Sequence, residues 1–298
     1  CNLLNQAYLG LSYSQYPQDY SKPRGFFLLA GHEGVGKTTL AYAIKDLLLG
    51  PYRDMILLNM GDYQDENAWR RLLLHSTLDN GSFLGKIRKN PYSVILFENI
   101  ESAHPSVIKL ISSIIRDGEI ITDDGYAIGF SGCLIMCTIR LSGCCPNTYQ
   151  MSHSEEETTK EYLARERTVH ESITLFFEEK KCLDFSKYIR GNTIIFRGIN
   201  PDAAKLILDV MINRIFEKVS AMYGITLMMS TSVQEMVEEY CCQDLTRGGI
   251  GIGQRVEAML VHPLSRILIQ ETISPEEKVI ITHISDSETG WEVSLSRV

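Results

Sequence analysis

The sequence predicts an α/β fold: a parallel sheet covered by helices on both faces, followed by a smaller, mostly helical unit. Three observations carry this. First, the strand candidates are continuous apolar runs, not alternating ones, as in strands buried on both faces. Second, these runs alternate with helical stretches, the pattern of a parallel sheet. Third, the texture changes after about residue 198, where long amphipathic stretches replace the apolar runs.

Residues 1–24 form a polar, Tyr-rich lead-in, which Ser21-Lys22-Pro23-Arg24-Gly25 ends. Phe26–Ala30, flanked by Gly25 and Gly31, reads as the first buried strand. Thr38–Leu49 has helical spacing and good formers, and Gly50-Pro51 stops it. Further buried strands are expected at Met55–Met60, Ser93–Phe97, Cys133–Thr138 and Thr193–Arg197. Pro105–Asp117 is the clearest helix, with Pro at its first position and Gly118 just past its end. The segment 143–181 carries a charged stretch, Ser154–Arg167, that fits a solvated helix or a mobile insert. Beyond residue 198, helices are expected at Pro201–Met222, Ser232–Cys242 and Gly253–Gln270, and short strands at Lys278–His283 and Trp291–Ser296. Gly248–Gly253 reads as a flexible connection before the last of these helices. The expected division is a lead-in (1–24), an α/β domain (25–198) and a small helical domain with short strands (199–298).

The chain has 298 residues, 44% hydrophobic and 22% charged, as in ordinary globular proteins. A net charge of −8 argues against non-specific nucleic-acid binding. No apolar run approaches the ~18 residues of a membrane span. The chain opens Cys1-Asn2-Leu3-Leu4, without Met or a signal pattern, and reads as a piece of something longer. The 8 cysteines form no C-x-x-C pair and no finger-like spacing with His, which speaks against a zinc site. A cytoplasmic or other reducing compartment is the expectation.

Gly31-His32-Glu33-Gly34-Val35-Gly36-Lys37-Thr38 fits G-x-x-x-x-G-K-[ST], between a buried strand and a helix. The glycines let backbone amides of Gly31, Gly34, Val35, Gly36, Lys37, Thr38 and Thr39 close around phosphate oxygens, at the positive end of a helix. Lys37 can reach the β- and γ-phosphates, and Thr38 can ligate Mg²⁺. The expected cofactors are ATP or ADP with Mg²⁺. His32 and Glu33 are expected to point outward, without a catalytic role. Hydrolysis needs a metal-orienting carboxylate and a water-positioning group after a neighbouring strand. Ser93–Phe97 ends instead in Glu98-Asn99. Glu98 can still serve Mg²⁺, whereas Asn99 cannot take a proton from water, and losing a general base costs about 10²–10⁴ in rate.

These residues resemble a known family. Asn90–Pro105 is similar to the Walker B region of Clp-type AAA+ unfoldases, P-Y-S-V-hydrophobics-D-E-h-E-K-A-H-P. Asp117–Gly125 resembles their D-G-x-L-T-D-x-x-G hairpin, Gly31–Thr39 their G-P-x-G-V-G-K-T-E, and Leu57–Tyr63 their L-D-M-S-E-Y. The likeness runs from about Pro23 to Val298, where Val261-His262-Pro263-Leu264 is similar to a helix ending in T-P-L. It points to the second ATPase domain of the two-ring Clp chaperones. The resemblance implies a P-loop AAA+ sandwich with a helical lid, assembly with other AAA+ subunits in a ring, and polypeptide threading.

Carried over residue by residue, the resemblance breaks in one direction. The catalytic Glu position holds Asn99 and the metal Asp position Glu98. The sensor-1 Asn position in Met136–Ile139 falls on Ile139. The arginine-finger position falls on Tyr188, with Lys187 or Arg190 as shifted substitutes, and the sensor-2 Arg position on Ile250. The segment His75–Asn80 lacks the aromatic pore loop. The phosphate cradle stays while the hydrolytic and threading parts go, so the expectation is a pseudo-ATPase that holds nucleotide as a switch or as an assembly or regulatory subunit. An active unfoldase with Glu98 or Glu101 acting on water is a second reading. A scaffold, or a torsin-like AAA+ protein, is a third.

Overall fold

The computed structural model describes residues 21–73, 82–122, 125–144, 159–270, 277–287 and 290–297. The lead-in tyrosines, the segment His75–Asn80 and the acidic run Glu155–Glu157 lie outside them. The described residues divide into two compact units, those of 21–32 with 36–197 and those of 33–35 with 198–297.

The first unit is built on a five-stranded parallel sheet. Its strands are β1 (Gly25–Gly31), β2 (Ile56–Asn59), β3 (Val94–Glu98), β6 (Leu134–Arg140) and β7 (Thr193–Ile195), in the order β2-β3-β6-β1-β7. Between β3 and β6 an antiparallel hairpin, β4 (Glu119–Ile121) and β5 (Ala127–Gly129), occupies the place of the Clp-like D-G segment.

Strand alternation sorts the core into two faces. Phe27 and Leu29 of β1, Val94 and Leu96 of β3, and Leu134 and Met136 of β6 pack with Ala41 and Ile44 of α1 (Lys37–Leu49). Their neighbours Phe26, Leu28, Ile95, Phe97, Ile135, Cys137 and Ile139 pack on the other side. There they meet α4 (Pro105–Asp117), α6 (Thr159–Glu179) and α7 (Leu183–Ile189), the shorter α2 (Ala68–Leu73) and α3 (Phe83–Lys89) completing that layer and α5 (Leu141–Cys144) following β6. The charged stretch of the sequence is thus helical from Thr159 onward, with Val169, Ile173 and Phe177 buried.

Helix ends follow local chemistry. The His104 Nδ1 atom accepts from the Ser106 amide at the start of α4, and Pro105 follows at the first position. Gly118 ends that helix at φ +72°, where its amide donates to the Ile114 carbonyl.

The second unit holds α8 (Pro201–Tyr223), α9 (Thr231–Cys242), α10 (Gly248–Val256) and α11 (His262–Gln270). A three-stranded sheet joins them, β8 (Thr226–Met229) beside β9 (Lys278–Ser287) beside β10 (Gly290–Arg297). Ala204, Leu208, Val233, Val237, Ile252, Val256, Ile281 and Val293 form its core. The Asn200 side chain caps α8 by accepting from the Ala203 amide at 2.8 Å. The expected flexible connection at Gly248–Gly253 is instead the body of α10. Gly248, Gly251 and Ile252 are buried there, and a Cβ on Gly251 would lie 3.1 Å from the Arg247 side chain. Close packing selects these glycines, not flexibility. A π-helical turn at Glu257–Val261 links α10 to α11.

Candidate functional site

The site lies at the carboxyl ends of β1, β3 and β6, where ligands of open parallel sheets bind. Gly34 and Gly36 both adopt positive φ, +78° and +96°, which glycine takes without strain. Open space stands where a Cβ on Gly36 would project, and α1 starts there without a side-chain cap. An uncapped helix start with aligned amides suits an anion, so the loop fits a phosphate group.

Lys37 is almost fully buried. Its ammonium folds back over the loop and donates to the Gly31 carbonyl at 2.8 Å and the His32 carbonyl at 2.5 Å. A buried ammonium needs such acceptors. Thr38 Oγ1 donates to Glu98 Oε1 at 2.6 Å, which joins the first turn of α1 to the end of β3. Val35 is half-buried, and Glu33 and Thr39 are exposed. His32 departs from the outward expectation: it is half-buried and its Nε2 atom is shielded from solvent.

Among the described residues no three His, Cys, Asp or Glu side chains cluster as a metal cage. Mg²⁺ needs none, because it keeps waters and uses one or two protein oxygens beside phosphate oxygens. The Thr38–Glu98 oxygen pair fits that role.

Asn99 follows in the left-handed region, φ 57° and ψ 53°, a conformation Asn tolerates better than most residues. Its amide donates to Thr138 Oγ1 at 3.0 Å, and its side-chain amide reaches Asn59 Oδ1 at 3.5 Å. Asn59 Oδ1 also takes the Gly61 amide at 3.0 Å. Two amide side chains, Asn59 and Asn99, thus meet just past the ends of β2 and β3.

Ile139 holds the position on which the sensor-1 Asn falls in the Clp-like pattern. That side chain is fully buried in the core on the α4 side of the sheet and does not face the loop. Arg140, one residue on, ends β6 and donates from Nε to Glu101 Oε1 at 2.7 Å. Glu101, considered above as a group acting on water, is therefore engaged by a cation. Lys180 Nζ also donates to the Glu101 carbonyl at 2.5 Å.

Tyr188 is half-buried, Lys187 pairs with Asp184 at 3.0 Å, and Arg190 is exposed just past α7. Arg190 lines an open cleft of about 620 Å³ with His170, Glu171 and Glu178 of α6. Ile250 is exposed on α10. Sequence reasoning missed Asn59, Thr138 and Arg140. The signal for Arg140 is strand parity: a charged residue two after Thr138 and next to the buried Ile139 sits on the Thr138 face.

Comparison with known proteins follows from this geometry. The model of the AAA domain (Cdc48 subfamily) matches residues 22–177. The chain is 25% identical over 276 residues to "Chaperone protein ClpB" of Lactococcus lactis subsp. lactis, covering 90% of this chain and 30% of that protein. It is 26% identical over 269 residues to "Chaperone protein ClpB 1" of Synechocystis sp., covering 89% and 28%. It is 27% identical over 208 residues to the "ATP-dependent Clp protease ATP-binding subunit ClpA homolog" of Porphyra purpurea, covering 67% and 25%. The chain spans less than a third of the length of these relatives.

Proposed function

The chain belongs to the AAA domain (Cdc48 subfamily) family as a Clp-like AAA+ module, and from that premise we propose that it binds ATP or ADP with Mg²⁺ while hydrolysing it weakly or not at all. In this reading it is a pseudo-ATPase: a nucleotide-held switch, or an assembly or regulatory subunit beside other AAA+ subunits or a protein partner, in a cytoplasmic or other reducing compartment. One observation carries the reading. The glycine loop, with Lys37 folded over it and the Thr38–Glu98 pair at its end, is followed past β3 by Asn99, which offers no carboxylate.

The amides of Gly34 to Thr39 would cradle the phosphates, Lys37 would turn from its carbonyl acceptors to the β- and γ-phosphates, and Thr38 and Glu98 would hold Mg²⁺. The metal-bound nucleotide supplies charge that this cradle neutralises. Bound only by the folded state, it stabilises the fold by RT ln(1 + [L]/Kd). Asn99 cannot activate water. An arginine finger is worth about 10³–10⁵ in rate, and its expected position is a half-buried tyrosine.

The active-unfoldase reading ranks second for a structural reason. It needs Glu98 or Glu101 to act on water, and Thr38 engages the first while Arg140 engages the second. Nucleotide titration with single-turnover hydrolysis, on the native protein and Lys37→Ala, decides between the two. Tight binding that needs Lys37, without phosphate release, is the expected result. Release that disappears in Lys37→Ala overturns the pseudo-ATPase reading.

A further inference from the structure

The strands of the first unit begin at the end of the sheet away from the phosphate loop, and there the unit carries a second chemical surface. The last turn of α3 bears Lys86, Arg88 and Lys89, all exposed. Arg24, exposed just before β1, holds its guanidinium over the Tyr92 ring, 5.5 Å from the centroid. Tyr92 stands just before β3 and is 60% exposed. Asn90, also exposed, joins the two groups, its backbone amide donating to the Lys86 carbonyl at 3.0 Å. Each of these six side chains can donate a hydrogen bond, four are cations, and none is a carboxylate.

The dipole of α3 favours cations at its carboxyl end. That accounts for one helix only. Arg24 and Tyr92 come from the starts of other strands, which the sheet order places on either side of β6. Among the described residues, Lys86, Lys89 and Arg24 form no ion pair. A chain of net charge −8 has carboxylates to spare, yet this surface gathers cations and leaves them unpaired.

The surface is also fixed in shape. A Cβ on Gly132 would stand 2.5 Å from the Pro91 carbonyl oxygen and 3.0 Å from Tyr92 Cδ1, so the turn before β6 closes on the turn before β3 only with glycine. Cys133 Sγ donates to the Pro91 carbonyl at 3.3 Å, Ser93 Oγ to the Asn90 carbonyl at 2.6 Å, and the Arg24 amide to the Cys133 carbonyl at 2.9 Å. Donors on a backbone held this way lose little freedom when a ligand arrives.

We propose that this surface docks an acidic peptide segment of a protein partner. Carboxylates accept from every group on it: a guanidinium offers its planar fork, the lysines charge, and Tyr92 a phenol proton. A short run of Asp or Glu brings the few negative charges that four cations balance. The dense charge of a nucleic-acid backbone would instead be repelled by the acidic remainder of the chain. The proposal does not rest on the nucleotide reading, because β1 separates the two sites by its seven residues, about 20 Å.

The test is fluorescence anisotropy with a labelled peptide of alternating Glu and Gly, the same peptide with Gln for Glu, and labelled oligothymidylate. The native chain should bind the Glu peptide, with affinity falling at least about tenfold between about 50 and about 300 mM salt, and should not bind the Gln peptide. Lys86→Gln with Lys89→Gln should weaken it about tenfold, and Arg24→Gln about threefold. Lys86→Arg with Lys89→Arg should keep binding within about twofold, as should Lys218→Gln, an exposed cation on α8, and Lys37→Ala. Urea midpoints equal to the native one show that the substituted chains are folded. No binding of the Glu peptide, or equal binding by the native and Gln-substituted chains, overturns the proposal. Tighter binding of oligothymidylate than of the Glu peptide also overturns it and gives the surface to nucleic acid. Each of these outcomes leaves the nucleotide reading standing, since that reading is decided at Lys37.

Discussion

Thr38 Oγ1 and Glu98 Oε1 lie 2.6 Å apart, one at the start of α1 and one at the end of β3. The hydroxyl donates to the carboxylate, so the two oxygens already stand together where a hard cation would take them. From the end of β3, Glu98 thus reaches the start of α1.

Thr38→Ala should uncouple nucleotide from metal. Native affinity should fall at least about tenfold when Mg²⁺ is removed with a chelator, and the variant should lack most of that difference. Titration with and without chelator reads both. An unchanged metal dependence in Thr38→Ala would move the metal away from this pair.

Asn99 is shaped by its backbone as well as by the site. At φ 57° a residue with a Cβ that lacks the local hydrogen bonds of Asn is strained. Asn99→Ala should cost about 1–2 kcal/mol in urea unfolding, and Asn99→Gly less. Equal losses would tie the cost to the Asn59 contact instead.

Ile139 should behave as core. Ile139→Ala should cost about 2–5 kcal/mol through the cavity left behind. Nucleotide affinity measured well below the unfolding transition should stay within about twofold. A large affinity loss with intact stability would contradict the burial of this side chain in the sheet core.

Cys133 makes stability depend on alkaline pH. Burial pushes its thiol up from 9.0 to about 11. The unfolded chain therefore releases a proton that the folded chain keeps. The stabilisation is complete below pH 9.0 and is lost as pH rises to about 11. Cys133→Ala should make that part of the urea-midpoint profile shallower, the buried thiols of Cys137 and Cys241, also raised, keeping the remaining slope. A profile identical to the native one would assign the decline to other groups.

Gly118 should not tolerate a side chain. It sits at φ +72°, and an added Cβ would stand 1.9 Å from the Ser21 carbonyl oxygen. Gly118→Ala should lower the thermal midpoint by several degrees, from about 1–2 kcal/mol of backbone strain plus the displacement of that strand-leading segment.

Much of this arrangement is legible in the residues. The apolar runs mark all five parallel strands, and Pro105 with Gly118 delimits α4 at both ends. The loop glycines at positive φ are where the motif needs them. Less legible is what depends on register. Which of Ile139 and Arg140 enters the core turns on one residue of strand parity, and a motif laid along the chain does not carry that parity. The glycine-rich start of α10 reads as flexible because glycine is a poor helix former, and tertiary packing overrides that preference. The Glu101–Arg140 pair joins the turn after β3 to the end of β6, so only the sheet order brings it together.

The interior position of β1, between β6 and β7, also bears on how this chain is made. Residue 25 pairs with residue 134, and Leu28 with Thr193, so the strand that opens the sheet waits for partners synthesised much later. Until then the run Phe26–Ala30 presents two open strand edges and an apolar surface. Such non-local pairing is slow and exposes the nascent chain to aggregation. A chain stopped before residue 134 would leave β1 without either neighbour, and one stopped between 140 and 193 would leave it with β6 alone. The nascent chain is therefore exposed to aggregation through most of the first unit, and a fragment that ends short of β7 is a poor choice for expression.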